Sequence, residues 1–106
     1  MNIINATPHP INIVTSEGDN VKTFDASGVL PRLSMNTVSC DDLGGIPTSK
    51  TVFGDVKGLP DYQDGTYYIV SQMVKTALPN RSDLLVPAQV QRNDKGHIIG
   101  CLSLGR

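Results

Sequence analysis

Three residues in the stretch SQMVKTALPNRSD (71–83) could contact a phosphate-bearing ligand. Ser71 stands where an apolar run meets a short amphipathic segment, a place where helices begin and free backbone amides favour an anion. Arg81 could clamp a phosphate with two hydrogen bonds, while Asp83 orients it or receives a ribose hydroxyl. The chain has no glycine-rich phosphate loop. A simple helix cap at Ser71 and a solvated turn at Arg81 and Asp83 are therefore the alternatives.

The motif TPHP (7–10) holds His9 between two prolines. Each proline fixes its own φ and biases the preceding residue toward an extended conformation, so the imidazole is rigidly presented. Such a histidine could act as a general base or donate a hydrogen bond to a ligand, and a structural histidine in an extended segment is the alternative. The other histidine and the two cysteines lack the paired spacing of a zinc site, so we predict no metal centre and two packed, reduced thiols at Cys40 and Cys101.

Composition excludes several classes of function. With 106 residues the chain has the length of one domain, so we predict a single domain over 1–106. Its formal charge of -1 lacks the positive excess that duplex nucleic-acid binding requires. The first ten residues have neither the basic region nor the apolar stretch of a signal peptide, and no window is apolar enough for a membrane span. We expect a cytoplasmic protein with no duplex nucleic acid and no membrane among its partners.

The elements that must position these residues are short and mostly β. Strands are predicted over 32–40 and 49–58 with a loop at 41–47, and Gly54 predicts a bulge or bend. Two further hairpins are predicted, 11–15 with 21–24 and 88–92 with 97–103.

The clearest unit is strand 66–71, helix 72–78 and strand 83–86, with Pro79 and Pro87 as stops. Counted from Ser71, it leaves twelve residues, 71–82, for the crossover, about the minimum for a parallel connection. The sum is an α+β fold of six to eight strands, predominantly antiparallel β, with one short helix in a tight strand–helix–strand unit.

Five motifs spread over nearly the whole chain resemble a family of small uncharacterised proteins found in phages, prophages and some actinobacteria. The motifs are NATPHPINIV (5–14), GDVKGLP (54–60), YIVSQMV (68–74), PNRSDLLVP (79–87) and RNDKGHIIGC (92–101). The resemblance carries no established activity. It implies a compact cytosolic protein of phage character, located in the host cytoplasm if a phage encodes it.

Phages use small proteins for host takeover and counter-defence, and one class sequesters nucleotide second messengers. That context and the absence of catalytic motifs predict a non-enzymatic protein that sequesters a phosphate-bearing small molecule, a nucleotide signal, without a cofactor. A helix of seven residues is ~10 Å long, so residues at its two ends share one ligand only if it spans them or if a second subunit completes the site. We therefore expect a homo-oligomer with its site at a subunit interface. The predicted ligand-binding residues are Thr7, His9, Ser71, Arg81, Asp83 and Arg92, with Tyr67 or Tyr68 for stacking.

Two other functions stay open. Exposed edges of short strands would suit a protein-interaction module, either an inhibitor of a host enzyme or a minor virion component. His9 would instead be the catalytic residue of a small metal-independent phosphodiesterase or nuclease. The chain contains no nucleophile motif, so the enzyme is the less favoured of the two.

Overall fold

The computed structural model describes all 106 residues and contains eight strands and one helix. In chain order they are β1 (Asn2–Asn5), β2 (Ile11–Val14), β3 (Asn20–Phe24), β4 (Arg32–Leu43), β5 (Ile46–Lys57), β6 (Thr66–Ile69), α1 (Gln72–Ala77), β7 (Leu84–Arg92) and β8 (Ile98–Gly105). The β-rich fold with one short helix is confirmed. None of its helices has the length and apolar character needed to cross a membrane.

Six of the strands form one mixed sheet in the order β1-β6-β7-β8-β2-β3. β6 pairs in parallel with both β1 and β7, whereas β7–β8 and β2–β3 are antiparallel. A single parallel bridge between Asn5 and Ala26 connects the end of β1 to the residues after β3. Because β1 and β3 are the two edge strands of the sheet, this bridge joins the two edges at one point.

The core lies where β6, β7 and α1 meet. Tyr68, Val70 and Leu84 are almost completely buried there and pack with Ala6 and Val74. Val74 is the one buried residue of α1, so this six-residue helix exists by packing on the sheet rather than by its own propensity. Its start is capped by Ser71, whose side chain accepts a hydrogen bond from the Val74 amide at 3.3 Å.

β4 and β5 form a separate two-stranded hairpin, and this pair is hereafter the long hairpin. Gly44 and Gly45 make its turn, both with positive φ. Only its base is packed: Val56 contacts the core cluster and both strands contact α1. A strand of twelve residues is ~40 Å long, and the long hairpin gives the molecule its extents of 54 × 39 × 21 Å. The radius of gyration is 17.2 Å, against about 13 Å for a compact domain of this length.

Three sequence-based expectations are wrong. The predicted loop at 41–47 is mostly strand, because the glycine pair turns the chain within two residues. Pro87 does not end a strand: β7 continues to Arg92. Its missing amide is tolerated because β6 pairs with β7 only at Leu84 and Leu85, which leaves that side of β7 open beyond them. Cys40 is exposed on the long hairpin rather than packed, whereas Cys101 is buried as expected.

Two further differences concern the strand predictions. β1 was not predicted, because its four residues show no clear alternation and pair only with the distant β6. The bend expected at Gly54 is present, since the β4–β5 register shifts between Leu33 and Met35 on the opposite strand. A Cβ atom added at Gly54 would lie 3.1 Å from the Ser34 Cβ. This close approach of the two strands accounts for the glycine.

The Asn5 side chain is 2% exposed and uses both ends of its amide. Its Nδ2 donates to the carbonyl oxygens of His9 at 2.7 Å and Phe24 at 2.9 Å. Its Oδ1 accepts from the amide and the hydroxyl of Thr7, at 3.0 and 2.6 Å. One side chain thus joins β1, the loop that follows it and the end of β3.

Replacing Asn5 with Asp should destabilise the fold by about 2–4 kcal/mol, because two donors are lost and a carboxylate faces two carbonyl oxygens. Urea unfolding at neutral pH measures the change. The control is Asn20→Asp, at an exposed asparagine whose Nδ2 donates only to the Thr23 hydroxyl. Equal stability of wild type and Asn5→Asp would contradict this role for the amide.

Candidate functional site

Thr7 and Ser71 lie in one cleft of about 280 Å³, beside the start of α1. The cleft also contains Arg32, a residue that the sequence did not single out. Arg32 is exposed and forms no ion pair, while the Ser71 oxygen already accepts from the Val74 amide. The helix has only six residues, so its dipole adds little, and the guanidinium is the main attraction for an anion here. A cleft of this volume can hold one phosphate or carboxylate group together with the neighbouring atoms of a ligand.

Arg81 and Asp83 form an ion pair with two hydrogen bonds. Nε and Nη2 of Arg81 lie 2.8 and 2.7 Å from the two carboxylate oxygens. Nη2 also donates to the Pro60 carbonyl oxygen at 3.1 Å, which ties the chain before β6 to the start of β7. Asp83 is 1% exposed, and the hydrogen bond from Arg81 lowers the pKa of its carboxyl against the opposing effect of burial. The pair therefore has an architectural role that needs no ligand.

Replacing Arg81 with Ala should destabilise the protein by about 3 kcal/mol at pH 7, because it leaves a buried carboxylate without its partner. The lowered Asp83 pKa stabilises the wild type above the unfolded carboxyl pKa of ~4, and this contribution disappears as the pH falls through the folded pKa. The deficit of the variant should therefore stay nearly constant from pH 7 to about pH 5 and shrink as the pH falls below about 4, through the folded pKa.

Urea unfolding measured from pH 7 to about pH 3 tests the pair. The matched control is Arg92→Ala, because Arg92 donates only to the Gly96 carbonyl oxygen in an exposed turn, at 2.9 Å. If Arg81→Ala lowers the free energy of unfolding by no more than the control, or by an amount that does not change with pH, the pair is not structural.

The remaining predicted site residues lie elsewhere. His9 lines a more apolar cavity of about 460 Å³ together with Cys101, and only its backbone carbonyl takes part in hydrogen bonds. Burial raises the pKa of the Cys101 thiol, which disfavours the nucleophilic thiolate. Arg92 is the last residue of β7, and its side chain donates to the Gly96 carbonyl oxygen in the turn before β8. Of the six predicted residues, the structure thus brings only Thr7 and Ser71 into one cavity.

The two tyrosines predicted to stack on a base are also engaged within the chain. Tyr68 is 4% exposed and belongs to the core. The Arg106 guanidinium lies over the Tyr67 ring, 5.5 Å from its centre. Neither ring faces the cleft that contains Thr7 and Ser71.

The sequence did not point to the long hairpin as a functional element. Its exposed apolar side chains are Met35, Val38, Leu43, Ile46, Val52 and Phe53. They lie on both faces and at the tip, and no other strand pairs with either outer edge. The sequence did contain an indication of this exposure. Apolar and polar residues alternate only weakly along β4 and β5, and the apolar ones are mixed with Ser and Thr. Neither face of the hairpin therefore has the apolar pattern of a buried face.

Comparisons with protein-family models, with curated proteins and with solved structures give no match for this chain. Its function is therefore proposed from the geometry described above.

Proposed function

We propose that this protein is an interaction module that binds a protein partner through the long hairpin. The observation that carries this proposal is the projection of β4 and β5 from the core, with half-exposed apolar side chains such as Met35 (53%) and Phe53 (51%). A two-stranded hairpin is at best marginally stable in water. A partner that covers this hairpin would complete both its hydrogen bonding and its apolar contacts.

The chemistry of binding follows from the two outer edges. Each edge strand offers a row of backbone amides and carbonyls that can pair with a further strand. Met35 and Phe53 are directly opposite each other in the ladder, so they form one apolar contact point on a single face. This arrangement supports the alternative of a host-enzyme inhibitor or a minor virion component, which the resemblance to phage-associated proteins also favours.

Replacing both Met35 and Phe53 with Asp should weaken partner binding at least ~30-fold, because the central apolar contact becomes charged. The partner is first captured from a bacterial lysate on the wild-type protein and identified, and its affinity is then measured by titration calorimetry. If the captured protein is the chain itself, the dimer dissociation constant takes the place of that affinity.

The matched control replaces Val21 and Ile98 with Asp. Both are exposed apolar residues, at 67% and 61%, but they lie on the six-stranded sheet. The control should bind like the wild type. A partner that binds the hairpin variant as tightly as the wild type would refute the proposal.

Binding of a phosphate-bearing nucleotide signal is the second candidate function, and the cleft of Thr7, Arg32 and Ser71 supports it. The unpaired guanidinium would contact a phosphate, and the Ser71 hydroxyl hydrogen would be free to donate while its oxygen caps the helix. The cleft alone is at the lower limit for ligand sites of ~300–1,000 Å³, so a nucleotide would extend beyond it. No comparable feature supports the phosphodiesterase or nuclease.

Isothermal titration against a panel of cyclic nucleotides and ADP-ribose derivatives tests the second function. Replacing Arg32 with Ala should weaken binding about tenfold, because one charge-assisted contact is lost. Lys57→Ala is the control, since Lys57 is the residue opposite Arg32 in the ladder and does not line the cleft. Binding no tighter than millimolar across the panel would exclude this function.

A further inference from the structure

We infer that the partner of the long hairpin is a second copy of this chain, paired along β4 in antiparallel orientation about a two-fold axis at Thr37. This inference rests on the proposed interaction function and names its partner. It requires that β4 be the open edge, that the strand be complementary to itself, and that the paired faces match.

β4 is the more accessible of the two edges. Its twelve residues contain no proline, whereas β5 carries Pro47, which has no amide to donate. A further strand is therefore expected on β4 rather than on β5.

The charges of β4 are arranged for self-pairing. Arg32 begins the strand, and Asp41 and Asp42 stand near its other end at the hairpin tip. An antiparallel copy places each arginine against the acidic end of the other strand, twice in one dimer. This self-complementarity is what a two-fold interface requires, since both copies contribute the same surface.

In the same geometry, carboxylates of the second copy lie at the cleft that contains Arg32. In the dimer the acidic tip of each hairpin lies at the base of the other, where Thr7, Arg32 and Ser71 line the cleft. The carboxylates of the second copy, rather than a free phosphate, then neutralise the guanidinium that has no ion-pair partner within its own chain.

The faces of the two hairpins also agree. The axis stands perpendicular to the sheet, so each side chain faces the same side in both copies and Thr37 lies opposite itself. Met35 and Phe53 of both copies then share one face of a continuous four-stranded sheet, β5-β4-β4-β5. A sheet of three or more strands with an apolar face is stable where an isolated hairpin is not.

Cysteine cross-linking tests the edge and the register together. Thr37→Cys in a Cys40→Ser background should form a disulfide-linked dimer on mild oxidation, because opposite residues of antiparallel strands have Cα atoms ~4.5–5.5 Å apart, within disulfide range. Thr51→Cys in the same background is the matched control, since Thr51 lies opposite Thr37 within the hairpin and is equally exposed. Thr37→Cys should give at least about fivefold more linked dimer than the control. Equal linkage, or more from Thr51→Cys, overturns the inference.

Charge exchange tests the self-complementarity independently of the cysteines. Arg32→Glu and Asp42→Arg should each raise the dimer dissociation constant about tenfold in sedimentation experiments, because each places like charges together at both ends of the interface. The double variant should return to within about threefold of the wild type, because it restores opposite charges. Failure of the double variant to recover overturns the inference.

Failure of the inference can be distinguished from failure of the proposed function. A wild-type protein that stays monomeric overturns the second copy as partner, and the module function stands if another protein binds and is lost in the Met35 and Phe53 variant. A dimer that forms unchanged in that variant and gives no Thr37 cross-link overturns the inference, and the proposed function fails as well if no other protein loses binding in the variant.

Discussion

The buried amide of Asn5 is the interaction on which the rest of the structure depends. It stands at the only point where the two edges of the six-stranded sheet meet, and its hydrogen bonds join the end of β1 to backbone atoms of the following loop and of β3. The Asn5 carbonyl oxygen adds contacts from the Ser27 amide and hydroxyl, at 3.1 and 2.7 Å. No buried polar side-chain atom in the molecule lacks a partner. Because such a network is costly when half satisfied, it specifies one arrangement of the loop.

That arrangement also sets the position of the cleft. Thr7 is held by Asn5 and comes to lie beside Ser71 and the first residue of β4. The base of the long hairpin is packed against α1 and the core through Val56, while its distal part has no support within the chain. Ordering each residue costs ~1–2 kcal/mol of backbone entropy. Burial of the exposed apolar side chains by a partner would offset this cost, and the proposed function and the inferred second copy are both argued from this imbalance.

The residue types that suggested a ligand site are used largely for architecture. Asp83 is almost fully buried and needs Arg81 to satisfy its carboxylate, Arg92 closes a turn, and Ser71 caps α1. The same side chains serve both purposes, because a carboxylate, a backbone carbonyl and a phosphate all accept hydrogen bonds from a guanidinium. The nucleotide function stays a prediction, and Arg32 is now the residue on which it depends most.

Much of the local structure could be predicted from the amino-acid sequence. Alternation and β-branched residues predicted most strands, Ser71 and Pro79 bounded the helix within one residue, and Gly54 indicated the bulge. These features depend on neighbours in the chain, whose preferences can be evaluated from composition and spacing. The Asn-x-Thr spacing at 5–7 is also local, and an asparagine oxygen accepting from the amide two residues on is a common turn.

Only the tertiary structure decided which residues meet. β1 is a strand because β6, more than sixty residues later, pairs with it, and Pro87 is tolerated because β6 ends before reaching it. Arg32 lies beside Thr7 and Ser71 through packing between distant segments. The Arg81–Asp83 pair is local in sequence, but the burial of Asp83 and the contact of Arg81 with Pro60 depend on the fold. The exposed state of the long hairpin has the same origin: its strands were predictable from their residues, but their burial depends on what the chain packs against them, and here it covers only the base. Long-range contacts are selected by the whole core and the register of its strands, and so no local pattern encodes them.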